Sequence, residues 1–212
     1  MINKHIENLI SRYPELAVCK NDILNAYEIL KEAYSNERKL LVCGNGGSAS
    51  DSEHIVGELM KEFRLKRKIN SDLAIVMKQI DSELGATLAE YLQGALPAIC
   101  LTGHSSLTTA FMNDANADLV FAQQVNGYGK EKDVFLGIST SGNSKNVLYA
   151  AITAKAKGLK IIGLTGERES KLSHLADCCI QVPETETYKI QEYHLPIYHT
   201  LCLMLEESFF CS

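Results

Sequence analysis

No stretch of this 212-residue chain approaches the roughly 18 consecutive apolar residues of a membrane-spanning helix, so no span is expected. The opening MINKHIENLISRYPEL alternates charge with apolar side chains and has no signal-peptide core, which predicts a soluble cytoplasmic protein. The seven cysteines contain no CxxC pair and form no regular framework; an odd number without an export signal predicts reduced thiols. Several, in LLVCG, PAICL and HTLCLML, sit in apolar runs where Cys packs as a small hydrophobe. Basic charge is not in excess either. Against 21 Lys and Arg stand 26 Asp and Glu, a net charge of −5, which disfavours a general nucleic-acid binder. The one basic cluster, RLKRK from Arg64 to Lys68, reads as a solvated helix end. Neither a Walker-type GxxxxGKS/T loop nor GxGxxG occurs, so nucleotide sites of those kinds are not signalled. There are no repeats and no low-complexity linker.

What is there is ordinary globular composition, 46% hydrophobic and 22% charged, enough for one large domain or one domain with an appended helical piece. The spacing predicts a short helix over 2–12 and a second over 21–36, with Pro14 between them and Asn21 as N-cap. Residues 1–36 then form a helical extension on a domain spanning 37–212, packing on that domain or on another subunit. Within the domain, strands and helices alternate. KLLVCG (39–44), PAICLTG (97–103), DVFLGIST (133–140), LKIIGLTG (159–166) and CCIQVP (178–183) read as buried strands. Helices are expected over 48–63, 107–114, 146–158 with Gly158 as the stop, and 190–209. That rhythm predicts an α/β three-layer sandwich, a five-stranded parallel sheet flanked by helices. Residues 69–96 break it. Leu84, Leu88, Tyr91 and Leu92 suggest a helix, so the segment reads as an insertion folding over or beside the sheet.

Ligands of parallel sheets bind beyond the carboxyl ends of strands. Two polar loops fall there. GISTSGNSKNV places the hydroxyls of Ser139, Thr140, Ser141 and Ser144 around Gly142 before a helix start. Free N–H groups and the helix dipole make such a place a seat for phosphate; a plain N-cap is the simpler reading. CGNGGSAS offers Gly44, Gly46 and Gly47, which permit close backbone approach, with the polar groups of Asn45 and Ser48. On the following helix His54 and Glu58, four apart, share a face as metal ligands, an acid and base, or a solvated polar pair. In the closing helix Gln191, His194 and His199 lie among apolar residues, where polar groups need partners; one of the two histidines reads as a satisfied core group.

Together CGNGGSASDSEHIVGEL, MND, GISTSGNSKNV and IQEYHLPIYHTLC resemble the sugar-isomerase (SIS) domain and, within it, the phosphoheptose isomerase family. The likeness covers most of 1–68 and 97–212. It implies a flavodoxin-like SIS fold and isomerisation of D-sedoheptulose 7-phosphate to D-glycero-D-manno-heptose 7-phosphate, toward activated heptose. It implies one Zn²⁺ per subunit held by His54, Glu58, Gln191 and His199. Substrate contacts carry onto Asn45, Gly46, Gly47, Glu58, Asn113, Asp114, Ser139, Thr140, Ser141, Ser144 and Gln191; Ser48 joins them from the loop reading. Moving a carbonyl between C2 and C1 through an enediol needs a base and an acid, for which Glu58 and His199 are the candidates. A homotetramer with sites shared between subunits is also implied. The chain departs from the pattern at Gly57, where a carboxylate often stands, at TGHSS, and in the 69–96 insertion. A non-catalytic SIS-type phosphosugar binder, such as a replication-initiator regulator, and an isomerase of another sugar phosphate are the rival readings.

Overall fold

Short apolar runs bounded by turn residues satisfy their backbone and bury both faces only inside a sheet. The computed structural model, which describes residues 2–211, shows five of them: β1 (Leu40–Cys43), β2 (Ala98–Cys100), β3 (Val134–Ile138), β4 (Lys160–Thr165) and β5 (Cys178–Gln181). All neighbours pair in parallel, in the order β2-β1-β3-β4-β5. Successive side chains serve opposite faces. Leu40, Val42, Val134, Leu136 and Ile138 join a core with Tyr27, Leu59 and Leu201, while Leu41, Cys43 and Phe135 join another with Val125, Val147 and Leu172. Helices therefore cover both faces, as the alternation predicts.

The first face is covered by α1 (Ile2–Arg12), α2 (Lys20–Ser35), α3 (Gly47–Met60) and α10 (Thr187–Phe210). A 3₁₀ turn over Pro14–Cys19 runs straight into α2, so Asn21 lies inside the helix instead of capping it. The second face carries α7 (Val120–Tyr128), α8 (Lys145–Ala156) and α9 (Lys171–Leu175), with α6 (Ser105–Asp114) preceding them. Gly158, at φ 76°, follows α8 as expected. The sequence pattern did not show α7 or α9. Helix α7 buries Gln124 on its core face, where Nε2 donates to Leu101 O at 2.8 Å, and that polar residue breaks the apolar period. Helix α9 has only five residues, set by a reciprocal capping box between Ser170 and Ser173. All seven cysteines are free thiols, and only Cys211 is exposed.

The 69–96 segment folds into two helices, α4 (Ser71–Ile80) and α5 (Leu84–Tyr91), which pack chiefly on each other. Their contact is close because Gly85 leaves room for the Met77 carbonyl. Leu84, Leu88, Tyr91 and Leu92, which suggested a helix here, are all exposed, as is Ile80.

Helices α3 and α10 run side by side in parallel register. Gly47 meets Gln191, His54 meets Tyr198, and Phe63 meets Glu206. Their far end is locked by a buried ion pair. Arg67 Nε donates to Glu206 Oε1 at 2.8 Å, while its other nitrogens reach Leu59 O at 2.8 Å and Glu58 O at 2.9 Å. Glu206 also accepts from the backbone N–H groups of Phe63 and Arg64, and the guanidinium lies over the Phe210 ring. This corrects two expectations. The helix ends at Met60, not Phe63, because those N–H groups turn to Glu206 instead of continuing the helical ladder. In RLKRK, Arg67 is 2% exposed, not solvated.

Removing one partner of such a pair leaves a bare buried charge, at about 3–5 kcal/mol. Arg67→Met and Glu206→Met should each lose that much in urea unfolding. The double variant should not recover, because the Glu58, Leu59, Phe63 and Arg64 backbone groups stay unpaired. Full recovery would show that those groups find other partners. Burial pushes the Glu206 carboxyl up, but the two N–H donors and Arg67 outweigh it and hold it below its ordinary value. A depressed folded-state value stabilises above the unfolded value, so this contribution should vanish only as pH falls through the range below ordinary glutamate.

Candidate active site

The sheet order reverses between β1 and β3, and this switch point is where doubly wound sheets bind ligands. Both polar loops lie at it. After β1, Gly46 takes φ 56° and ψ −122°, a conformation that side chains rarely adopt, and starts α3. A Cβ on Gly47 would fall 2.6 Å from Gln191 Nε2, so the glycine is what lets Gln191 lie over the loop. Ser48 is buried beneath it against Gly44, whereas Asn45, Gly46 and Gly47 are exposed. After β3, Ser139 Oγ and Ser144 Oγ stand 3.0 Å apart, and Ser141 Oγ accepts from Asn143 N. Gly142 takes φ 62° beneath Ser170. No side chain caps α8 at Ser144. A reciprocal amide pair joins the loops: Asn45 Nδ2 donates to Asn146 Oδ1 at 2.9 Å and Asn146 Nδ2 to Asn45 Oδ1 at 2.8 Å.

Two turns further along α3 and α10 lies a second layer. His54 Nε2 is 3.2 Å from Glu58 Oε1, and His54 Nδ1 is 3.0 Å from the Tyr198 hydroxyl, which donates to Asp51 Oδ1 at 3.3 Å. The His54 and His199 rings meet edge to face, 4.9 Å between centroids, with Phe63 against His199 at 5.5 Å. Burial, then neighbouring His54, holds the His199 imidazole below its ordinary value despite Glu58 nearby, so the ring favours its neutral form. His199 also opens on a cleft of about 240 Å³ between α1 and α10, edged by Asn8, Arg12 and Tyr13.

Could these residues hold a metal? Among the described residues no group of three or more His, Cys, Asp and Glu is already gathered in metal-holding geometry. Yet Glu58 Oε2 and His199 Nε2 are buried without hydrogen-bond partners, and with His54 Nε2 they make a donor set that suits zinc. Gln191 does not join them. It is eight residues before His199 in a continuous helix, about 12 Å along the axis, and sits on the glycine loop. Three of the four expected ligands therefore share one layer. Asn113 and Asp114, exposed at the end of α6, are hydrogen-bonded to each other and to neither loop.

Four contributors were not singled out from the sequence: Asn146, Asp51, Tyr198 and the Arg67–Glu206 pair. Asn146 stands in the quoted GISTSGNSKNV stretch, so its polarity at a helix start was visible. The others depend on the register of two helices 144 positions apart, which no local pattern carries.

The model of the SIS domain family matches residues 4–95 and 75–166. Similar chains include a phosphoheptose isomerase from Nitratiruptor, 41% identical across 88% of this chain and 86% of that one. Another, from Aneurinibacillus thermoaerophilus, is 36% identical across 99% and 94%. Among solved structures, a phosphoheptose isomerase from Francisella tularensis superposes with a TM-score of 0.73 at 30% identity, covering 97% of this chain and 96% of that one. One from Neisseria gonorrhoeae gives 0.71 at 29%, covering 95% and 98%.

His194, the other histidine of the closing helix, is fully buried, its Nε2 3.4 Å from Thr165 O, and burial drives its pKa from 6.5 to about 4. It is the core histidine of the pair, though only half satisfied, since its Nδ1 is buried without a hydrogen-bond partner. A base whose folded value is lowered must charge on unfolding, so stability falls as pH drops from 6.5 toward 4, by roughly 3 kcal/mol from this group. His194→Gln should flatten that slope in urea titrations at stepped pH. An unchanged slope would assign the acid sensitivity elsewhere.

Proposed function

The chain belongs to the SIS-domain phosphoheptose isomerases, and from that premise we propose that it interconverts D-sedoheptulose 7-phosphate and D-glycero-D-manno-heptose 7-phosphate. As an aldose–ketose isomerase it must move one carbon-bound proton and one oxygen-bound proton. The observation that carries the reading is the two-layer site: a phosphate-suited pair of loops at the sheet's switch point, and a His54–Glu58–His199 cluster below it.

In this reading the seat for the phosphate is formed by Ser139, Thr140, Ser141 and Ser144 at the start of α8, where hydroxyl donors supplement the helix dipole. Asn45, Gly46, Gly47 and Gln191 take the sugar's hydroxyls, and the exposed pair Asn113 and Asp114 is assigned to substrate from the family pattern alone. Glu58 removes the carbon-bound proton and returns it to the neighbouring carbon through an enediol. Its carboxylate has one oxygen against His54 Nε2 and the other 3.5 Å from Lys61 Nζ. His199, its imidazole held below its ordinary value by burial, is the group that passes a proton between the two substrate oxygens. His54, Glu58 and His199 would hold Zn²⁺, and Gln191 is assigned to the sugar instead. Zinc there would stabilise negative charge on the enediolate oxygens. Assembly into a homotetramer with shared sites belongs to the same proposal, supported by the open apolar residues of α4 and α5. So does a cytoplasmic place toward activated heptose; among the described residues no helix is long and apolar enough to cross a membrane.

The deciding measurement is isomerisation of sedoheptulose 7-phosphate in D₂O, with and without chelator and added zinc. Deuterium at C2 of a heptose 7-phosphate product establishes the reaction, and chelator sensitivity gives the metal a functional part. Tight binding without exchange would point to a phosphosugar-binding protein; no binding would point to another sugar. Glu58→Gln should abolish exchange while the protein stays folded, and full activity would remove Glu58 as base. Ser141→Ala should raise KM for the phosphorylated substrate about 10-fold, the effect of losing a hydrogen bond to a charged group, with kcat little changed. An unchanged KM would count against the serine loop as the phosphate seat.

A further inference from the structure

Tyr198 sits between the two helices that carry the site, 2% exposed, with its ring edge-on to both histidines: 5.5 Å from His54 and 5.0 Å from His199 between centroids. A phenol has one hydrogen to give. Asp51 Oδ1, 3.3 Å away, is the acceptor for it, because a carboxylate has no hydrogen of its own to offer. The Tyr198 oxygen is then the acceptor at His54 Nδ1, 3.0 Å away, and Nδ1 must carry the hydrogen. In a neutral imidazole that leaves Nε2 bare, its lone pair 3.2 Å from Glu58 Oε1. Two lone pairs at that distance repel unless something positive lies between them or beside them. The second oxygen of Glu58 makes no hydrogen bond and has Lys61 Nζ at 3.5 Å, while the His199 ring, its Nε2 buried without a partner, lies edge-on to His54 with 4.9 Å between centroids.

We propose that Tyr198, backed by Asp51, is a positioning residue that fixes His54 as its Nδ1–H tautomer and presents Nε2 to Glu58 as an open donor for a divalent cation. The cation half of this rests on the zinc reading above; the tautomer half does not. The arrangement follows a general pattern in which a metal-binding histidine donates its other ring N–H to a fixed oxygen, which sets the tautomer and the ring's orientation. Here the oxygen is a phenol held by a carboxylate, and all three residues are placed by the α3–α10 register. Two-sided packing explains why the hydroxyl does not wander: the ring cannot turn out of the helix interface without leaving both histidines.

Tyr198→Phe keeps that packing and removes only the hydroxyl. Long-range ¹H–¹⁵N NMR on the metal-free protein, with His54 assigned by its loss in His54→Gln, reads the tautomer directly. The wild type should show Nδ1–H, and Tyr198→Phe should lose that preference. Calorimetric titration with Zn²⁺ alone should then show affinity weakened about 10–100-fold in Tyr198→Phe, the usual effect of losing an outer partner of a metal ligand. Nε2–H in the wild type would mean the chain of donation runs the other way, with a hydrogen on Asp51, and overturns the proposal without any variant being needed. An unchanged tautomer together with unchanged zinc affinity in Tyr198→Phe would overturn it as well. Nδ1–H in the wild type, lost in the variant, with no zinc bound by either, would uphold the tautomer assignment and overturn the metal reading alone.

Discussion

The site depends on two helices, 144 residues apart in sequence, lying parallel in fixed register, and on the buried Arg67–Glu206 pair that holds the register at one end. A slip of one residue along α10 would rotate it by about 100° and carry His199 and Tyr198 away from His54. Apolar contacts alone would not forbid that slip, because Leu, Ile and Cys side chains are interchangeable partners over small shifts. Arg67 and Glu206 forbid it. Their five hydrogen bonds include two to the carbonyls that end α3 and two from the turn beyond it. A buried ion pair is weak evidence for stability, but one that also satisfies four backbone groups specifies a single arrangement. Since Arg67 grips the carbonyl of Glu58 itself, the constraint reaches the Glu58 side chain through one residue.

At the other end of the same helices the requirement is opposite: not to fill space but to leave it. Gly44 and Gly47 admit the Ser48 backbone and the Gln191 side chain at distances no Cβ would tolerate, and Gly46 supplies the backbone turn that starts α3. The Asn45–Asn146 pair then ties this loop to the serine loop across two neighbouring strands. That contact is exposed and uncharged, so it contributes little to stability. It makes the two loops one continuous polar surface.

The fold was largely legible because its signals are local. A four-residue run such as LLVC, with turns on both sides, fits a buried parallel strand, and a glycine after a helical run, Gly158, marks a helix end because it takes φ 76° without strain. What escaped was what local patterns cannot carry. RLKRK reads as solvated because four of its five residues are polar and charged, yet one of them, Arg67, has its partner 139 positions away. Helix α7 was hidden by Gln124, a polar residue satisfied only by a carbonyl on the strand side of the core. The segment 69–96 was legible as helical but not in its placement, since most of its large apolar side chains, Leu73, Ile75, Ile80 and Leu84 among them, stay exposed instead of joining a core. Of the site, the Gly and Ser loops, His54 and Glu58 could be read from spacing. Tyr198 could not, for an aromatic in an apolar helix has packing as its ordinary meaning.

The vertical division of the site has a chemical consequence. Gln191 and Gly47 form one layer, His54 and Tyr198 the next, seven residues on along both helices, a separation of about 10 Å. Within one chain that separation sets Gln191 apart from the His54–Glu58–His199 layer, and in the proposed reading the two serve different parts of the substrate. A compact sugar phosphate anchored at the serine loop would leave the His54–Glu58–His199 layer unreached. An extended chain, with its phosphate at the loops and its carbonyl end below, engages both layers at once. On the proposed reading, tying the reaction to chain length in this way would let a rigid scaffold choose its substrate without a pocket shaped around every hydroxyl. The departures at Gly57 and TGHSS can then alter contacts along the chain without moving the two ends that the helices fix.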